Sequence, residues 1–273
     1  MIFSSHHAIT SLTRESTHAR FPDGRPRVPD DMLERMRLVT TEEAWSVLRK
    51  HGYHLQFEGG WMNLHPQRVL VGRAVTAAFV PHRPDFHALV EDEGRDAGRI
   101  GGQNSWVIDT LVEHDVLVVD LFGKLKDGTF AGDNLGTAIH AKSKTGMVID
   151  GGIRDLQRML ELPDFAVFVR GVDPSAIADV TLAGVNVPVR IGQATVLPGD
   201  VVLGTRTGII FIPPQLAREV VEYSEDTRMR DEFGKQRIAE GTYTPGEIDV
   251  TEWVAEIEVD YKRWRERRER IDD

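Results

Sequence analysis

Apolar and polar residues alternate in blocks through the middle of the chain, and the blocks predict alternating strands and helices. Apolar runs at 115–122, 146–150 and 165–170 have the length of buried strands. Residues 135–144 and 153–160, which lie between these runs, have the mixed pattern of short helices. Strand, helix, strand, helix, strand at this spacing indicates βαβ units with parallel pairing. The predicted fold class is therefore α/β, with a layered core.

The segments around this core have other patterns. Residues 69–80 predict a strand interrupted by a glycine, and 81–96 predict a loop leading towards a helix. Residues 184–212 contain short apolar runs broken by Gly, Pro and Asp, which indicates antiparallel, turn-rich strands that close the domain. Residues 214–238 and 246–270 are mostly helical by pattern.

The N-terminal region is more polar than the core. Residues 1–28 place several prolines and a glycine close together, so we expect an irregular arm that is ordered by packing on something else. Residues 30–51 predict two short helices, and Thr40 with Glu43 resembles a capping box before the second. The chain thus divides into an N-terminal arm with helices (1–65), an α/β catalytic core (66–213) and a helical C-terminal extension (214–273).

Length and composition exclude several classes of protein. The chain has 273 residues and no cysteine, so it can bury one large core but cannot form a disulfide or use a cysteine nucleophile. The start lacks the pattern of a signal peptide, and no apolar run reaches the ~18–20 residues of a membrane span, so we expect a cytoplasmic protein. A net charge of −10 argues against a general affinity for nucleic acid.

Two loops should lie beyond the carboxyl ends of the parallel strands, where such folds bind ligands. The first, 121–136, ends in small residues and runs directly into a helix. Its backbone N–H groups and the positive end of the helix suit an anion such as a carboxylate. A simpler interpretation is also open, in which Asp133 or Asn134 caps the helix and the glycines form a tight turn.

The second loop, DGGIRD at 150–155, places opposite charges side by side. We expect Gly151 and Gly152 to turn the backbone, and Arg154 and Asp155 to reach the same edge as the first loop. An arginine fork holds a carboxylate well, and an aspartate can hold Mg²⁺ together with waters. A local ion pair is the alternative. Taken together, the two loops suit a small oxo-acid bound to a divalent metal.

Three stretches resemble the RraA-like family, which includes 4-hydroxy-4-methyl-2-oxoglutarate / 4-carboxy-4-hydroxy-2-oxoadipate aldolases. They are VLVVD (116–120), AGDNLGTAIHAKSKTGMVIDGGIRD (131–155) and VLPGDVV (196–202). The family's pattern is an Asp, twenty residues and then Arg-Asp, and here Asp133 precedes Arg154-Asp155 by that spacing. The resemblance implies a swivelling α/β core with helical extensions. It also implies a homotrimer or homohexamer with its site at a subunit interface.

The resemblance also implies a role for each matching residue. Arg154 would hold the substrate carboxylate or the neighbouring oxygen and stabilise an enolate. Asp155 would ligate Mg²⁺ or Mn²⁺, and Asp133 would orient a water of the metal. The carboxylate would be bound by backbone amides around Gly132, Asn134, Leu135 and Gly136. The implied activity is a divalent-metal-dependent lyase that releases pyruvate from a 2-oxo acid, with oxaloacetate decarboxylation as a side activity.

The sequence departs from the family's pattern at two places. Three positions after the Arg-Asp, where the family has an acid, this chain has Arg158. In GTRTG (204–208), where many members have an acid, it has Arg206. Both changes add positive charge, which predicts a more anionic substrate.

Other chemistries and functions have weaker signals. His82 and His87 flank a short loop and are candidates for substrate contact or for a general base, while the histidines form no HExxH set. A Schiff base and a GxGxxG dinucleotide site are less well supported, and the basic stretch 262–270 fits a solvated helix end.

Two functions compete with the aldolase hypothesis: a regulator that binds ribonuclease machinery, and a lyase or hydratase on sugar-derived acids. The set Asp133, Arg154 and Asp155 favours an enzyme.

Overall fold

The computed structural model describes residues 3–272, which form two units. The first unit is built around a mixed sheet of nine strands. The first unit ends at Val221 and the second begins at Glu222. The strands of the sheet are β1 (Phe57–Glu58), β2 (Met62–Asn63), β3 (Leu70–Pro81), β4 (Asp115–Thr129), β5 (Gly146–Ile153), β6 (Ala166–Val172), β7 (Val180–Val185), β10 (Val201–Gly204) and β11 (Ile209–Ile212). A separate antiparallel pair consists of β8 (Val189–Ile191) and β9 (Ala194–Val196).

Helices connect and cover the strands. Those of the first unit are α1 (His6–Leu12), α2 (Asp30–Met36), α3 (Thr41–Lys50), α4 (Pro84–Asp96), α5 (Gln103–Ile108), α6 (Asp133–Ser143) and α7 (Leu156–Met159). A 3₁₀ turn, Pro214–Leu216, leads into α8 (Ala217–Ala239), which crosses the unit boundary. The second unit continues with α9 (Pro245–Ile248) and α10 (Ala255–Asp272). The described residues contain no helix long and apolar enough to cross a membrane.

The central strands pair in parallel, which confirms the predicted βαβ units. The order along the sheet is β1-β11-β10-β3-β4-β5-β6-β2, and β7 pairs with the second half of β3. Strands β3 to β6 are parallel, with Ala78 beside Asp120 and Asp120 beside Asp150. The carboxyl ends of these four strands therefore meet at one edge. The β7–β11 segment is antiparallel and turn-rich, as its pattern predicts.

Both faces of the central strands are buried, as expected for a parallel sheet covered on two sides. Side chains alternate along each strand, so Leu117 and Val119 of β4 face one layer while Val116 and Val118 face the other. The first layer contains helices α4 to α7, and the second contains the β8–β9 pair. The described side chains thus form the layered α/β core that the sequence predicts.

The N-terminal arm is more regular than its composition suggests. The prediction that residues 1–28 are irregular is wrong for α1, where the Ser5 hydroxyl accepts a hydrogen bond from the N–H of Ala8. The arm is then fixed by Arg25, whose buried guanidinium donates to both carboxylate oxygens of Asp115 at 2.8 and 3.2 Å. Asp115 opens β4, so this ion pair ties the arm to the sheet.

Several other sequence predictions can be compared directly. The two short helices at 30–51 and the capping box of Thr40 and Glu43 are confirmed. The predicted loop at 81–96 is wrong, because α4 begins at Pro84, and proline suits a first helical turn. The predicted glycine interruption of the strand at 69–80 is also wrong: Gly72 stays in β3, where an added Cβ would lie 2.6 Å from the carbonyl oxygen of His114.

The second unit has its own small core of aromatic side chains. Phe233, Trp253, Tyr261 and Trp264 pack with ring centroids 5.3–6.2 Å apart. The guanidinium of Arg230 lies 3.8 Å from the ring centroid of Trp253. The predicted helices at 214–238 and 246–270 are confirmed in outline by α8 and α10. The three-part division at residues 65 and 213 remains a prediction about sequence segments.

Candidate active site at the carboxyl ends of the parallel strands

The DGGIRD segment does not turn at its glycines. Gly151 and Gly152 continue β5, so the turn predicted there is wrong. An added Cβ at Gly151 would lie 2.9 Å from Leu121, which explains why the strand needs a residue without a side chain. The backbone turns instead at Asp155, which is left-handed with φ 56° and precedes α7.

The first loop is also more ordered than its sequence suggests. Residues 121–129, predicted to be a loop, continue β4 through irregular pairing in which Thr129 lies beside Gly152. Two further backbone bonds extend this contact: the N–H of Phe130 donates to Gly152 (2.9 Å), and that of Arg154 donates to Ala131 (3.0 Å). This pairing is what brings the two predicted site segments together.

Gly132 lies at the centre of the resulting contact. An added Cβ on this residue would lie 2.2 Å from Oδ2 of Asp155 and 3.0 Å from Nε of Arg154. Gly132 is the N-cap of α6, so the interpretation that Asp133 or Asn134 caps this helix is wrong. Asp133 is the first helical residue, and its Oδ1 accepts from the N–H of Asn134 at 2.9 Å.

Four charged side chains surround this point and form two ion pairs. Nε of Arg154 lies 3.5 Å from Oδ2 of Asp155, and Nη1 of Arg158 lies 3.1 Å from Oδ2 of Asp133. The Arg158 guanidinium lowers the pKa of the Asp133 carboxyl through this hydrogen bond. All four remain open to solvent to some degree, with side-chain exposures of 44% for Arg154, 40% for Asp155, 73% for Arg158 and 24% for Asp133.

The remaining predicted residues shape the start of α6. The N–H of Gly136 already donates to the carbonyl of Gly132 at 2.8 Å, so it is not available to a ligand. The value of a glycine at 136 is close packing, because an added Cβ would lie 2.4 Å from Sδ of Met159. Asn134 is exposed, and Leu135 packs its side chain against the core.

The donor set of this site fits a magnesium ion held mainly by waters. Mg²⁺ usually takes one or two carboxylates and keeps several waters. Asp133 and Asp155 provide two solvent-accessible carboxylates, and the missing side chain of Gly132 lets the Asp155 carboxylate approach the start of α6. No cluster of three or more His, Asp or Glu ligands occurs within the described part of the chain.

The two arginines that depart from the family's pattern lie far apart in this chain. Gly204, at the start of the GTRTG turn, pairs with Leu70, the first residue of β3. Arg206 is therefore at the amino end of the parallel strands, roughly 35 Å along β3 from the carboxyl end. Within one chain, Arg158 and Arg206 do not reach the same ligand, and Arg158 is paired with Asp133, so the more anionic substrate expected from these charges remains a prediction.

Two supporting residues have no sequence signal beyond their type. The buried Asn104 amide donates to the carbonyl oxygen of Phe130 at 2.8 Å, and the Phe130 ring packs edge-on against Phe79. Phe130 lies two residues before Gly132, so both contacts fix the turn that enters α6. Lys124, a candidate for the Schiff-base chemistry, is half-buried and donates to the carbonyl of Ala178 at 3.1 Å.

The comparisons with known proteins agree on one family. The RraA-like family, described as Aldolase/RraA, matches residues 31–211. A 4-hydroxy-4-methyl-2-oxoglutarate aldolase of Thermus thermophilus is 29% identical over 118 residues, which are 42% of this chain and 71% of that protein. A Halalkalibacterium halodurans protein, whose name assigns the same activity provisionally, is 28% identical over 142 residues (51% of this chain, 67% of that protein).

Among solved structures, Streptomyces coelicolor RraAS2 is similar with a TM-score of 0.66 and 26% identity. The match covers 78% of this chain and 98% of that one. RraAS2 is described as an unusual member of the RNase ES inhibitor RraA protein family. The region of the family match contains every residue of the candidate site, from Gly132 to Arg158.

Proposed function

Since the chain belongs to the RraA-like family, we propose that it is a divalent-metal-dependent lyase that cleaves a carbon–carbon bond of a 2-oxo acid and releases pyruvate. The observation that carries the proposal is the close contact of Gly132, the residue before Asp133, with the side chains of Arg154 and Asp155. The aldolase names of two relatives support the lyase class.

Arg154 and the start of α6 bind the substrate's anionic end in this proposal. The guanidinium of Arg154 is 44% exposed and can donate charge-assisted hydrogen bonds to a carboxylate. Helix α6 has eleven residues, and its N-terminus adds positive potential on the same side as Arg154. These two donors orient the 2-oxo acid with its carbonyl beside Asp155.

Asp155 and Asp133 would hold Mg²⁺ or Mn²⁺ and its waters. When bound, the ion supplies a Lewis acid for the 2-oxo group. In the proposed cleavage the 4-hydroxyl gives its proton to a water molecule and C4 becomes the carbonyl carbon of the second product. The C3–C4 bond breaks, and its electron pair moves towards the 2-oxo oxygen. Arg154 stabilises the negative charge that develops on that oxygen. Protonation at C3 then gives pyruvate, and loss of CO₂ from oxaloacetate leads to the same enolate.

The competing function is a regulator that binds ribonuclease machinery, and it is supported by the description of RraAS2. A panel of 4-hydroxy-2-oxo acids and oxaloacetate, assayed for pyruvate with Mg²⁺ and with EDTA, separates the two. We expect Mg²⁺-dependent pyruvate release from at least one substrate. Absence of metal-dependent turnover on every substrate would favour the regulator. We also propose a homotrimer or homohexamer, which light scattering on the purified chain would test.

A further inference from the structure

A cavity of about 340 Å³ lies at the same edge of the sheet as the candidate site. It opens where β3 ends at Pro81, and β3 is the parallel neighbour of β4. The side chains around it that could contact a ligand belong to β3, the turn after it, α4, α5 and the loop before β7. They include Phe79, His82, His87, Glu91, Gln103 and Asp179.

Two contacts join the wall of this cavity to the candidate site. Asn104 lines the cavity and donates to the carbonyl of Phe130, and Phe79 packs against the Phe130 ring. Phe130 is two residues from Gly132, so their Cα atoms lie within about 8 Å of each other. The cavity and the candidate site therefore share the packing around the buried Phe130 ring and lie at the same edge of the sheet.

The polar groups of the cavity are fixed by hydrogen bonds. The buried Gln103 amide accepts from the N–H of Leu182 (2.6 Å) and donates to Oε1 of Glu91 (2.7 Å), which sets its orientation. Nδ1 of His87 lies 3.0 Å from the hydroxyl of the fully buried Thr181. The rings of His82 and His87 are 4.5 Å apart between centroids.

The charges that line the cavity are acidic. Glu91 and Asp179 are carboxylates, and none of the lining residues that the structure describes is Lys or Arg. The nearby ammonium of Lys124 is held by the carbonyl oxygen of Ala178 at 3.1 Å, so the two carboxylates outnumber it. Arg83, next to His82 in the chain, is paired outside with Asp85 at 2.8 Å. A ligand carboxylate about 5 Å from one of these acids would be repelled by more than tenfold in affinity at an effective dielectric of about 20. Hydroxyl groups, in contrast, find acceptors in the carboxylates and partners in the imidazoles.

We propose that this cavity is a distal subsite that receives a neutral, hydroxyl-bearing tail of the substrate and rejects a second carboxylate. The inference rests on the proposed function, because it places the cleavable end of the same 2-oxo acid at Arg154. It makes Glu91 and Asp179 determinants of specificity. The imidazoles of His82 and His87 then bind hydroxyl groups of the tail, and the Gln103 amide holds Glu91 in place.

Two substrates of the same reaction test the proposal. The first, 4,5,6-trihydroxy-2-oxohexanoate, is cleaved at C3–C4 to pyruvate and glyceraldehyde. The second, 4-hydroxy-2-oxopentanedioate, is cleaved at the same bond to pyruvate and glyoxylate. With Mg²⁺ at pH 8, we expect kcat/KM for the hydroxylated substrate to exceed that for the diacid by tenfold or more.

An equal or greater kcat/KM for the diacid, with pyruvate still released, would overturn the subsite and leave the proposed lyase function standing. No pyruvate from either substrate or from oxaloacetate would instead count against the lyase function itself and thus against both proposals.

Charge-neutralising variants provide the second measurement. Glu91→Gln keeps the shape of the side chain, and Asp179→Asn suits a left-handed residue with φ 54°. Each should shift the kcat/KM ratio towards the diacid by about tenfold, mainly through KM. Asp92→Asn is the matched control, since Asp92 pairs with Arg95 on the exposed side of α4 and is not a lining residue. If both test variants keep the wild-type ratio, or if the control shifts it equally, the subsite is wrong.

Discussion

Replacing Gly132 with alanine would test the candidate site with the smallest possible change. The added Cβ would lie 2.2 Å from Oδ2 of Asp155, and ordinary contact begins at about 3.4 Å. The Asp155 carboxylate must therefore retreat by about 1.2 Å, and Arg154 must give way by a few tenths of an ångström. A misplacement of about 1 Å at a reacting centre can cost roughly 10²-fold in rate. We expect kcat/KM for pyruvate release to fall by that factor.

The same substitution should leave stability almost unchanged. The backbone at Gly132 has φ −111°, which alanine adopts without strain. The side chains that must move, Arg154 and Asp155, are 44% and 40% exposed and can turn towards solvent. We expect the free energy of unfolding to change by less than about 1 kcal/mol.

Pyruvate release at several substrate concentrations and urea unfolding, measured on the same preparations, would separate activity from stability. Gly59→Ala is the control, because its added Cβ would meet no atom nearer than 3.7 Å. Wild-type kcat/KM in Gly132→Ala would refute the assignment of the site. A loss of activity matched by a large loss of stability would refute the reasoning about side-chain freedom.

Three further substitutions test other features. Arg25→Ala leaves the buried Asp115 carboxylate unpaired and should lower the free energy of unfolding by roughly 3–5 kcal/mol in urea titrations; a loss under 1 kcal/mol would contradict this. Burial raises the pKa of Asp200 from 3.8 to about 7. The free energy of unfolding should therefore fall by roughly 3–5 kcal/mol as pH rises from about 4 to 7. Asp200→Asn should flatten that pH dependence, and an unchanged slope would argue against it. Arg158→Glu takes the formal charge of the four-residue site from 0 to −2 and should strengthen Mg²⁺ binding in calorimetric titrations, whereas weaker binding would count against Asp133 as part of a metal site.

The sequence could predict which segments form the candidate site, for a simple topological reason. Asp133 follows one parallel strand and Arg154-Asp155 follows its neighbour, so both had to reach the same edge of the sheet. The contact between the two segments could not be predicted from the pattern of apolar and polar residues. It depends on the continued pairing of Thr129 with Gly152, in a segment whose glycines and lysines suggested a loop.

Glycine positions show where sequence reasoning reached its limit. Gly151 stands between Asp150 and Gly152, a sequence typical of a turn. In the structure it lies in an extended strand and packs closely against Leu121. The turn is made by Asp155, a residue whose left-handed conformation depends on the start of α7. The pair of Asp133 and Arg158 follows from that geometry, because α7 sets which way Arg158 points.

The meeting of His82 and His87 has a similar origin. The loop predicted at 81–96 gave no reason to expect the imidazole rings of His82 and His87 to lie together. Because α4 begins at Pro84, the chain folds back at once and His87 packs beside His82. The cavity at the end of β3 therefore depends on where a helix begins, which is among the features that pattern alone locates least well.

Pyruvate release by the wild-type chain and by Arg154→Ala, with saturating Mg²⁺ and with EDTA, tests the central claim most directly. Urea unfolding of both proteins is the control, because Arg154 is half-exposed and its loss should change stability by less than about 1 kcal/mol. We predict release that requires Mg²⁺ and falls about 10²-fold in Arg154→Ala. The claim is contradicted if no 2-oxo acid yields pyruvate, or if Arg154→Ala turns over as fast as the wild type.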